Sequence, residues 1–514
     1  MSQAPDAPTR AVETHVSHLF LVRDRVYKLK KPVRFGFVDL TSREARERAC
    51  RREVELNRRL APDVYLGVLT VTDDTGMPLD HLVAMRRMPE ERRLATLVRQ
   101  GTEVGPGLRQ VARVLAGFHA GAPAPEEVAA AATRDAVLAS WEANFAEMEP
   151  FAGPLLNPAR LERARTLART YLAGRERLFR ARIEAGQIRE GHGDLLAEDV
   201  FLLDDGPRIL DCIEFDDRLR RGDVVWDAAF LAMDLERLGR PDLGSRFLDW
   251  YREFWGHPWP RSLADHYLAY RAQVRSKVAC LRHGQDGGAA PEARRLLRIC
   301  LDHLEQAAVH LVLVGGTPGT GKSTLGRALA DTRGWVLLRS DEVRKETANL
   351  PHLATATAPY RQGLYRPERT AATYRELLRR ARAALESGES VVLDASWSDP
   401  TWRQAAAELA RATSSRLVQL RCLAPPKLAA ARIVARRASG GDPSDVTPDL
   451  AAVLAADFAP WPEAIEVDTS RPVEDLLRQI LRRLRGSSSP TGRAVRRQAV
   501  RPWRAGPAPP SLRT

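Results

Sequence analysis

Along residues 1–90, apolar and polar side chains alternate in short runs that turn residues separate. A period of two is typical of half-buried strands. The pattern predicts a loose tail over 1–12, strands at 16–22, 25–29, 64–71 and 82–87, and a helix over 42–60. Lys28 and Lys30 are two residues apart in the second strand, so their side chains share one face of it.

From about residue 92 onward, apolar positions recur every three or four residues, which is the spacing of helices. The predicted helices span 92–100, 106–120, 126–148 and 158–185. A small β region followed by a helical region predicts two lobes with a cleft between them.

After residue 305 the pattern changes to short, unbroken apolar runs that alternate with helical stretches. Such runs indicate parallel strands that are buried on both faces. Strands are predicted at 311–314, 335–338, 389–394, 417–420 and 464–467, and helices at 325–330, 346–388, 426–438 and 473–484. This half is therefore predicted to be an α/β domain around a parallel sheet.

The first strand of this half runs into a loop in which residues 316–323 read G-x-x-x-x-G-K-S. Its glycines let successive backbone N–H groups turn inward around a phosphate, and the following helix adds its positive N-terminus. The predicted cradle for ATP consists of Gly316, Thr317, Pro318, Gly319, Thr320, Gly321, Lys322, Ser323 and Thr324. Lys322 is expected to reach the β- and γ-phosphates, and the Ser323 hydroxyl is expected to bind Mg²⁺.

Lysine is rare in this chain, which has seven lysines among 79 basic residues. A lysine that persists among so many arginines favours a site that needs a compact ammonium on a flexible stem. Lys322 occupies one such site, and the cluster of Lys28, Lys30 and Lys31 is the other candidate.

Acidic residues concentrate in the loop Gly191-His192-Gly193-Asp194 and downstream of it. Asp199 follows in the same segment, and a predicted hairpin then carries Asp211 and Glu214. Apolar residues flank these acids, which favours a site over a solvated loop. Asp223 and Asp227 are expected to brace the loop and the helix after it.

Residues 12–285 resemble the aminoglycoside phosphotransferases and their protein-kinase-like relatives, which share an H-G-D loop and an acid-bearing hairpin. The resemblance implies a bilobal protein-kinase-like fold. It implies that Asp194 orients the acceptor hydroxyl as a base, that Asp199 binds Mg²⁺, and that Asp211 or Glu214 is a further metal ligand. It also implies that Lys28 or Lys30 binds the ATP phosphates and pairs with Glu53; Lys28 is preferred.

Two departures from that family pattern leave an alternative open. Leu196 stands where the family has His, and Asp199 stands where it has Asn. A weakened or inactive kinase lobe, which regulates or scaffolds the second half, is the alternative.

The second half resembles the P-loop kinases that phosphorylate small metabolites or nucleic-acid ends. The resemblance implies that Asp341 is a general base, that Arg344 is a substrate or phosphate clamp, and that Asp394 belongs to the Mg²⁺ shell. Arg432 and Arg436 are expected to reach the transferring phosphate from a mobile lid. Tyr360, Tyr365 and Tyr374 are candidates for acceptor recognition.

Composition adds few constraints. A length of 514 residues predicts two or three domains, and 44% apolar residues are typical of globular proteins. The net charge of +13 is spread among helix-like stretches, so nucleic acid is left open but is not favoured. Five well-separated cysteines and no apolar run of membrane-spanning length favour a reducing cytoplasm and no membrane partner.

The sequence therefore predicts a kinase-like domain over 1–305, a P-loop kinase domain over 306–485 and a disordered basic tail over 486–514. The expected activity is phosphoryl transfer from ATP, with Mg²⁺, to hydroxyl groups of small molecules. Transfer to nucleic-acid ends is the alternative for the second half, and the pattern does not predict an oligomeric state.

Overall fold

The computed structural model describes residues 10–14, 16–35, 38–124, 126–351, 362–439 and 448–486. Its first lobe is an antiparallel sheet in the order β1-β2-β3-β7-β6 with one helix against it. The elements are β1 Arg10–Glu13, β2 Ser17–Val22, β3 Arg25–Lys30, the small pair β4 Arg34–Phe35 and β5 Val38–Asp39, α1 Arg43–Asn57, β6 Tyr65–Thr72 and β7 Pro78–Arg86. The Ser42 hydroxyl caps α1 by accepting from the N–H of Ala45, at 3.1 Å.

The prediction of a loose tail over 1–12 is wrong for its last three residues. Arg10–Glu13 pairs antiparallel with β2, in the register Arg10 to Leu21. Three of the four residues of this edge strand are exposed, so it has almost no apolar pattern from which a strand could be predicted.

The second lobe is helical and carries four short strands around the acidic loop. Its helices are α2 Leu94–Arg99, α3 Gly105–Gly121, α4 Glu126–Ala130, α5 Arg134–Met148, α6 Pro158–Ala173 and α7 Glu176–Glu184. Next come β8 Ile188–Glu190, β9 Val200–Leu203, β10 Gly206–Ile209, β11 Arg221–Asp223, α8 Val224–Arg237, α9 Pro241–Trp255, α10 Arg261–Asp286 and α11 Ala290–Gln306. The helix predicted over 126–148 divides before Thr133, which caps α5, and the one predicted over 158–185 divides at Gly174.

The last region is a parallel sheet in the order β13-β14-β12-β15-β16, with helices around it. Its elements are β12 His310–Gly315, α12 Lys322–Arg333, β13 Val336–Arg339, α13 Ser340–Thr347, α14 Pro367–Glu386, β14 Val391–Asp394, α15 Pro400–Ala412, β15 Arg416–Leu423, α16 Pro426–Ser439, α17 Pro448–Ala456, β16 Ile465–Asp468 and α18 Val473–Gly486. The predicted fold class, a kinase-like α+β region followed by a parallel α/β domain, is confirmed. The tail predicted after residue 486 lies outside the described residues.

The two halves are packed tightly against each other. One cluster of buried apolar side chains contains Tyr171 and Leu263 from the helical lobe together with Leu311 and Leu393 from the parallel sheet. Polar contacts cross the same junction: Ser262 Oγ donates to the carbonyl of Gly388 at 2.7 Å. The halves therefore share a core rather than being joined by a flexible tether.

Three side chains form an ion-pair group across this junction. Glu305 at the end of α11 contacts Arg163 of α6 and Arg416 at the start of β15, each at 2.7 Å. No helix in the described part of the chain is both long enough and apolar enough to cross a bilayer.

Candidate active sites

Both lysines of β3 reach the same buried carboxylate on α1. Lys28 Nζ lies 2.8 Å from Glu53 Oε1, and Lys30 Nζ lies 2.7 Å from Glu53 Oε2. Lys28 also contacts Asp211 at 2.8 Å, and Lys30 contacts Glu214 at 2.5 Å. The shared face of the strand thus places two ammonium groups among three carboxylates.

The charges in this cluster set one another's ionisation. Burial lowers the pKa of Lys28, but Asp211, Glu53 and Glu214 outweigh it and hold that pKa well above its ordinary value. Lys28 in turn lowers the pKa of Asp211. Lys28 therefore stays protonated and Asp211 stays ionised at neutral pH.

The positions of Asp211 and Glu214 separate two candidates that the sequence could not rank. The side chain of Asp211 is 55% exposed beside Lys28, whereas that of Glu214 is 10% exposed against the fully buried Lys30. Asp211 also has a left-handed φ of +64°. Its backbone N–H donates to Tyr65 Oη at 3.1 Å, which holds the residue in that conformation. Asp211 faces the cleft, and Glu214 is a buried partner of Lys30.

Asp227 holds the acidic loop from behind. Its two oxygens accept from the backbone N–H groups of His192 and Gly193, both at 2.8 Å, and His119 contacts it at 3.0 Å. Gly193 has a φ of +92°, which turns the loop so that both N–H groups converge on one carboxylate. His192 Nε2 contacts the carbonyl of Leu210 at 2.8 Å, so the acidic loop is fixed to the segment that carries Asp211 and Glu214. The prediction that the second hairpin strand carries these acids is wrong, because β10 ends at Ile209 and both acids follow it.

Asp194 and Asp199 are the acids of this loop that lack a tightly paired lysine. Burial raises the pKa of Asp194, while Arg275, whose Nη1 lies 3.6 Å from Asp194 Oδ2, lowers it. Burial and the negative charges of Asp211 and Asp194 raise the pKa of Asp199 well above its ordinary value. Three acids therefore interact across one small region, where a cation would relieve their repulsion.

The glycine-rich loop of the second half lies at the carboxyl end of β12. Gly316 and Gly319 have φ values of +135° and +78°. A Cβ at either position would lie within about 2.5 Å of a backbone carbonyl oxygen, that of Cys422 or of Ala429. Only glycine fits these two positions, as the predicted phosphate cradle requires.

Lys322 and Ser323 begin α12 directly after this loop. Lys322 Nζ donates to the carbonyl of Thr317 at 3.0 Å. Asp394 ends β14 beside β12, and the Ser323 hydroxyl donates to its carboxylate. Burial raises the pKa of Asp394, while Lys322 and the Ser323 hydrogen bond lower it. The hydroxyl and carboxylate expected to share Mg²⁺ are thus adjacent.

A cavity of about 710 Å³ opens beside the loop. It is lined by Gly319, Gly321, Lys322, Ser323 and Thr324 together with Arg432, Thr469 and Arg471. Arg432 Nη2 donates to the carbonyl of Thr469 at 2.8 Å, and Thr469 Oγ1 donates to the carbonyl of Thr320 at 2.7 Å. These bonds place the Arg432 guanidinium at the mouth of the phosphate loop. Arg436 lies on the same helix, but its side chain is outside the described residues.

Asp341 and Arg344 lie in the first two turns of α13, after β13. Arg344 Nη1 contacts Asp341 Oδ1 at 2.8 Å, and both side chains are partly buried. Arg339, the last residue of β13, lies opposite Asp394 of β14, and its Nε donates to that carboxylate at 3.2 Å. Asp341 follows Arg339 by two residues, so Asp341 and Asp394 lie at the same end of the sheet. This is the edge where ligands bind in open α/β folds.

Of the three tyrosines proposed for acceptor recognition, only Tyr374 has a side chain within the described residues. Tyr374 is 4% exposed and stacks on Trp402, while its hydroxyl accepts from the backbone N–H of Trp397 at 3.1 Å. It is a core residue, so its assignment to the acceptor is wrong. Tyr360 and the side chain of Tyr365 lie outside the described residues.

Sequence reasoning missed Thr469, Arg471, Arg271 and Arg275. Thr469 and Arg471 directly follow the last predicted strand, and a position after the carboxyl end of a parallel strand could have indicated that they lie near the site. Arg271 and Arg275 are four apart on α10, but nothing local links them to Asp194. Among the described residues, no group of three or more His, Cys, Asp or Glu side chains is arranged to hold a metal ion.

Comparison with known proteins gives matches to each half and to the whole. A family model described as an AAA domain matches residues 311–460. The Mycobacterium tuberculosis protein named Uncharacterized protein Rv2004c is 44% identical over 463 residues, which cover 90% of this chain and 92% of that one.

Two solved structures are similar in part. A choline/ethanolamine kinase family protein from Mesorhizobium loti is 13% identical over 58% of this chain and 92% of its own, with a TM-score of 0.36. A gluconokinase from Sinorhizobium meliloti is 20% identical over 34% and 91%, with a TM-score of 0.24. These TM-scores and identities are low, so each half is described from its own strand order and site geometry.

Proposed function

The chain belongs to the family of the mycobacterial protein Rv2004c, and from that premise we propose that it is a phosphotransferase with two nucleotide sites. Each site takes ATP with Mg²⁺ and transfers the γ-phosphate to a hydroxyl group of a small molecule. The observation that carries the proposal is the glycine cradle, whose loop, Lys322 and Ser323 open on a cavity of about 710 Å³. That volume lies within the range of about 300–1,000 Å³ that is usual for small-ligand sites.

In the rear site, between residues 306 and 485, backbone N–H groups of the loop and Lys322 bind the phosphates. Ser323 and Asp394 would hold Mg²⁺, which supplies charge neutralisation to the transferring phosphoryl group when it is bound. Arg432 approaches from the cavity side, and Asp341 takes the proton of the acceptor hydroxyl. The Asp341–Arg344 contact at 2.8 Å orients that carboxylate.

In the front site, between the two lobes of residues 1–305, Lys28 binds the phosphates. Glu53 positions Lys28, and the carboxylates of Asp199 and Asp211 would hold Mg²⁺. Asp194 accepts the proton of the acceptor hydroxyl as the new O–P bond forms and the bond to the bridging β–γ oxygen breaks. Asp227 fixes the loop that carries Asp194, because it accepts from two of its backbone N–H groups.

Nucleotide binding by the full chain tests the proposal. Titration calorimetry with a non-hydrolysable ATP analogue and Mg²⁺ is expected to give two sites per chain. Lys322→Ala is expected to remove one site and Lys28→Ala the other, while the exposed Lys427→Ala removes neither. A stoichiometry of zero in the unaltered chain would contradict the proposed function.

A second candidate, a front lobe that binds nucleotide without transferring phosphate, is favoured by one observation. Lys28 and Asp211 contact each other at 2.8 Å. The ammonium group that the ATP phosphates would need and the carboxylate that Mg²⁺ would need are therefore already paired. Asp199→Asn, which removes one negative charge from the site where Mg²⁺ and ATP would bind, separates the candidates. Nucleotide binding at the front site with no Asp194-dependent transfer, in either form of residue 199, supports the non-catalytic lobe.

A further inference from the structure

Two arginines of α10 face the acidic loop of the front site. Arg271 and Arg275 are one helical turn apart, so they lie on the same side of the helix. Burial raises the pKa of Asp194 and both arginines oppose that rise, with Arg275 Nη1 at 3.6 Å from Asp194 Oδ2. Positive charge therefore surrounds the residue that is proposed to receive the acceptor proton.

Arg271 is a buried cation, and within the described parts of the chain no carboxylate forms an ion pair with it. Its guanidinium is sandwiched against Trp226 and Phe230, with ring centroids at 3.9 and 4.3 Å. Nε donates to the carbonyl of Trp226 at 3.1 Å, whereas Nη2 is buried without a hydrogen-bond partner in the described part of the chain. A buried, unpaired guanidinium is costly for a fold to keep.

Arg275 has the exposure that Arg271 lacks. Its side chain is 21% exposed, and its 3.6 Å separation from Asp194 is too long for a hydrogen bond. Lys277, two residues further along, makes an ordinary ion pair with Glu147 at 2.9 Å. Of the two arginines beside the acidic loop, Arg275 is therefore the one that is open to a ligand, and Arg271 strengthens the positive potential behind it.

From this geometry we infer that the acceptor of the front site is an anionic alcohol, one that carries a carboxylate or phosphate group besides the hydroxyl. The inference rests on the proposed function of that site. Arg275 binds the anionic group, and its move away from Asp194 leaves that carboxylate free to take the hydroxyl proton. The acceptor oxygen then bonds to the γ-phosphorus, the bond to the β–γ bridging oxygen breaks, and ADP leaves.

A cationic acceptor fits this surface poorly. Recognition of an amino sugar or a quaternary amine needs unpaired carboxylates or open aromatic faces. The Trp226 face is covered by Arg271, and Glu147 is occupied by Lys277. The two arginines would repel a positive acceptor at the position that the Asp194 geometry requires.

Phosphate transfer into fractionated metabolites tests the inference on the full chain. Lys322→Ala silences the rear site, and a bacterial small-molecule extract freed of nucleotides is split by ion exchange into anionic, neutral and cationic fractions. Label from γ-labelled ATP that depends on Asp194 is expected in the anionic fraction. Such label in the neutral or cationic fraction alone would overturn the inference and leave the proposed function intact. No Asp194-dependent label in any fraction would overturn the front-site function as well.

Variants of α10 then test whether Arg275 is the residue that binds the anionic group of the acceptor. Arg275→Gln is expected to raise KM for the labelled acceptor about tenfold to a hundredfold, which is the effect of one charge-assisted hydrogen bond. KM for ATP is expected to stay unchanged, and Lys277→Gln is expected to change neither constant. An unchanged acceptor KM in Arg275→Gln, in protein whose melting temperature matches the parent, would overturn the inference.

Discussion

The two proposed nucleotide sites supply positive charge in different ways. In the front site the cations are side chains, and Lys28 and Lys30 already contact three carboxylates within 2.5–2.8 Å. In the rear site the cradle is backbone, held open by glycines whose conformation admits no side chain. The backbone cradle exists before a phosphate arrives, whereas the front lysines must exchange partners. The comparison teaches that the rear site is preorganised and the front site is conditional on its ligand.

The front site depends most on its proton acceptor. Asp194→Asn is expected to lower kcat for the front reaction by about 10²–10⁴-fold, because an amide cannot take the acceptor proton. KM for ATP changes little, since Lys28 and Glu53 are untouched. Rates are measured with the rear site silenced by Lys322→Ala. Glu198→Gln, a change to the exposed neighbour that pairs with Arg99, serves as the control. A fall of equal size in the control would show that loop integrity, and not the base, is being measured.

The rear site depends on its single lysine. Lys322→Ala is expected to lower rear-site transfer by about 10²–10³-fold, the effect of removing one aligned donor from a developing charge. The measurement is ADP release in an Asp194→Asn background. Lys427→Ala, a change to an exposed residue at the start of α16, is expected to keep the parental rate. Retention of rear-site transfer in Lys322→Ala would remove the distinction drawn between the two sites.

A histidine between α8, α10 and α11 makes the stability of the helical lobe depend on pH. Burial lowers the pKa of His303, but hydrogen bonds to Asp265 and Glu236 outweigh it and raise the pKa to about 9. Because the folded-state pKa is the higher one, the stabilisation is complete below pH 6.5 and is lost as the pH rises towards 9. The free energy of unfolding is expected to fall by an amount on the order of 3 kcal/mol over that window.

Urea titrations at pH 6 and pH 9 measure that difference. His303→Gln is expected to remove most of it, because the neutral amide has no proton to lose. If the free energy of unfolding still differed between pH 6 and pH 9 in His303→Gln, the pH dependence would belong to another group.

The junction between the halves gives the smallest effect. A Cβ on Gly174 would lie 2.1 Å from the carbonyl oxygen of Thr413, across the junction. Gly174→Ala is therefore expected to destabilise the chain by about 1–3 kcal/mol, the usual cost of overpacking. Gly117→Ala in α3 is the matched control, since nothing lies within 4 Å of its added Cβ. It is expected to stabilise the helix by about 0.5–1 kcal/mol.

Thermal unfolding of both variants measures the pair. If Gly174→Ala were as stable as the control, the backbone around Thr413 would be able to move away from the added Cβ without a loss of stability.

Patterns that depend on neighbouring residues could be predicted from the sequence. The strand, loop and helix around Lys322 follow from an apolar run and glycine spacing, and the shared face of Lys28 and Lys30 follows from the period of a strand. The division of α6 from α7 at Gly174 was missed, and the close approach of the Thr413 carbonyl to Gly174 comes from the other half of the chain, which no local pattern reveals. Arg271 and Arg275 were missed for the same reason, since their partner Asp194 is nearly eighty residues earlier.

The acceptor-recognition assignment of Tyr374 failed for a related physical reason. An aromatic residue on a helix packs into a core or faces a ligand according to what lies opposite, and here Trp402 lies opposite. Asp211 and Glu214 could not be ranked because both follow the end of β10 at Ile209, where the period of a strand no longer decides which acid faces the cleft.

The apolar cluster that joins Tyr171 and Leu263 to Leu311 and Leu393 has a consequence for inheritance. Two modules on a string can be shuffled, lost or duplicated separately in a genome. Here, deletion of the gene segment for either half would expose the apolar surface of the other half to water. Loss of either segment is therefore expected to destabilise the one that remains.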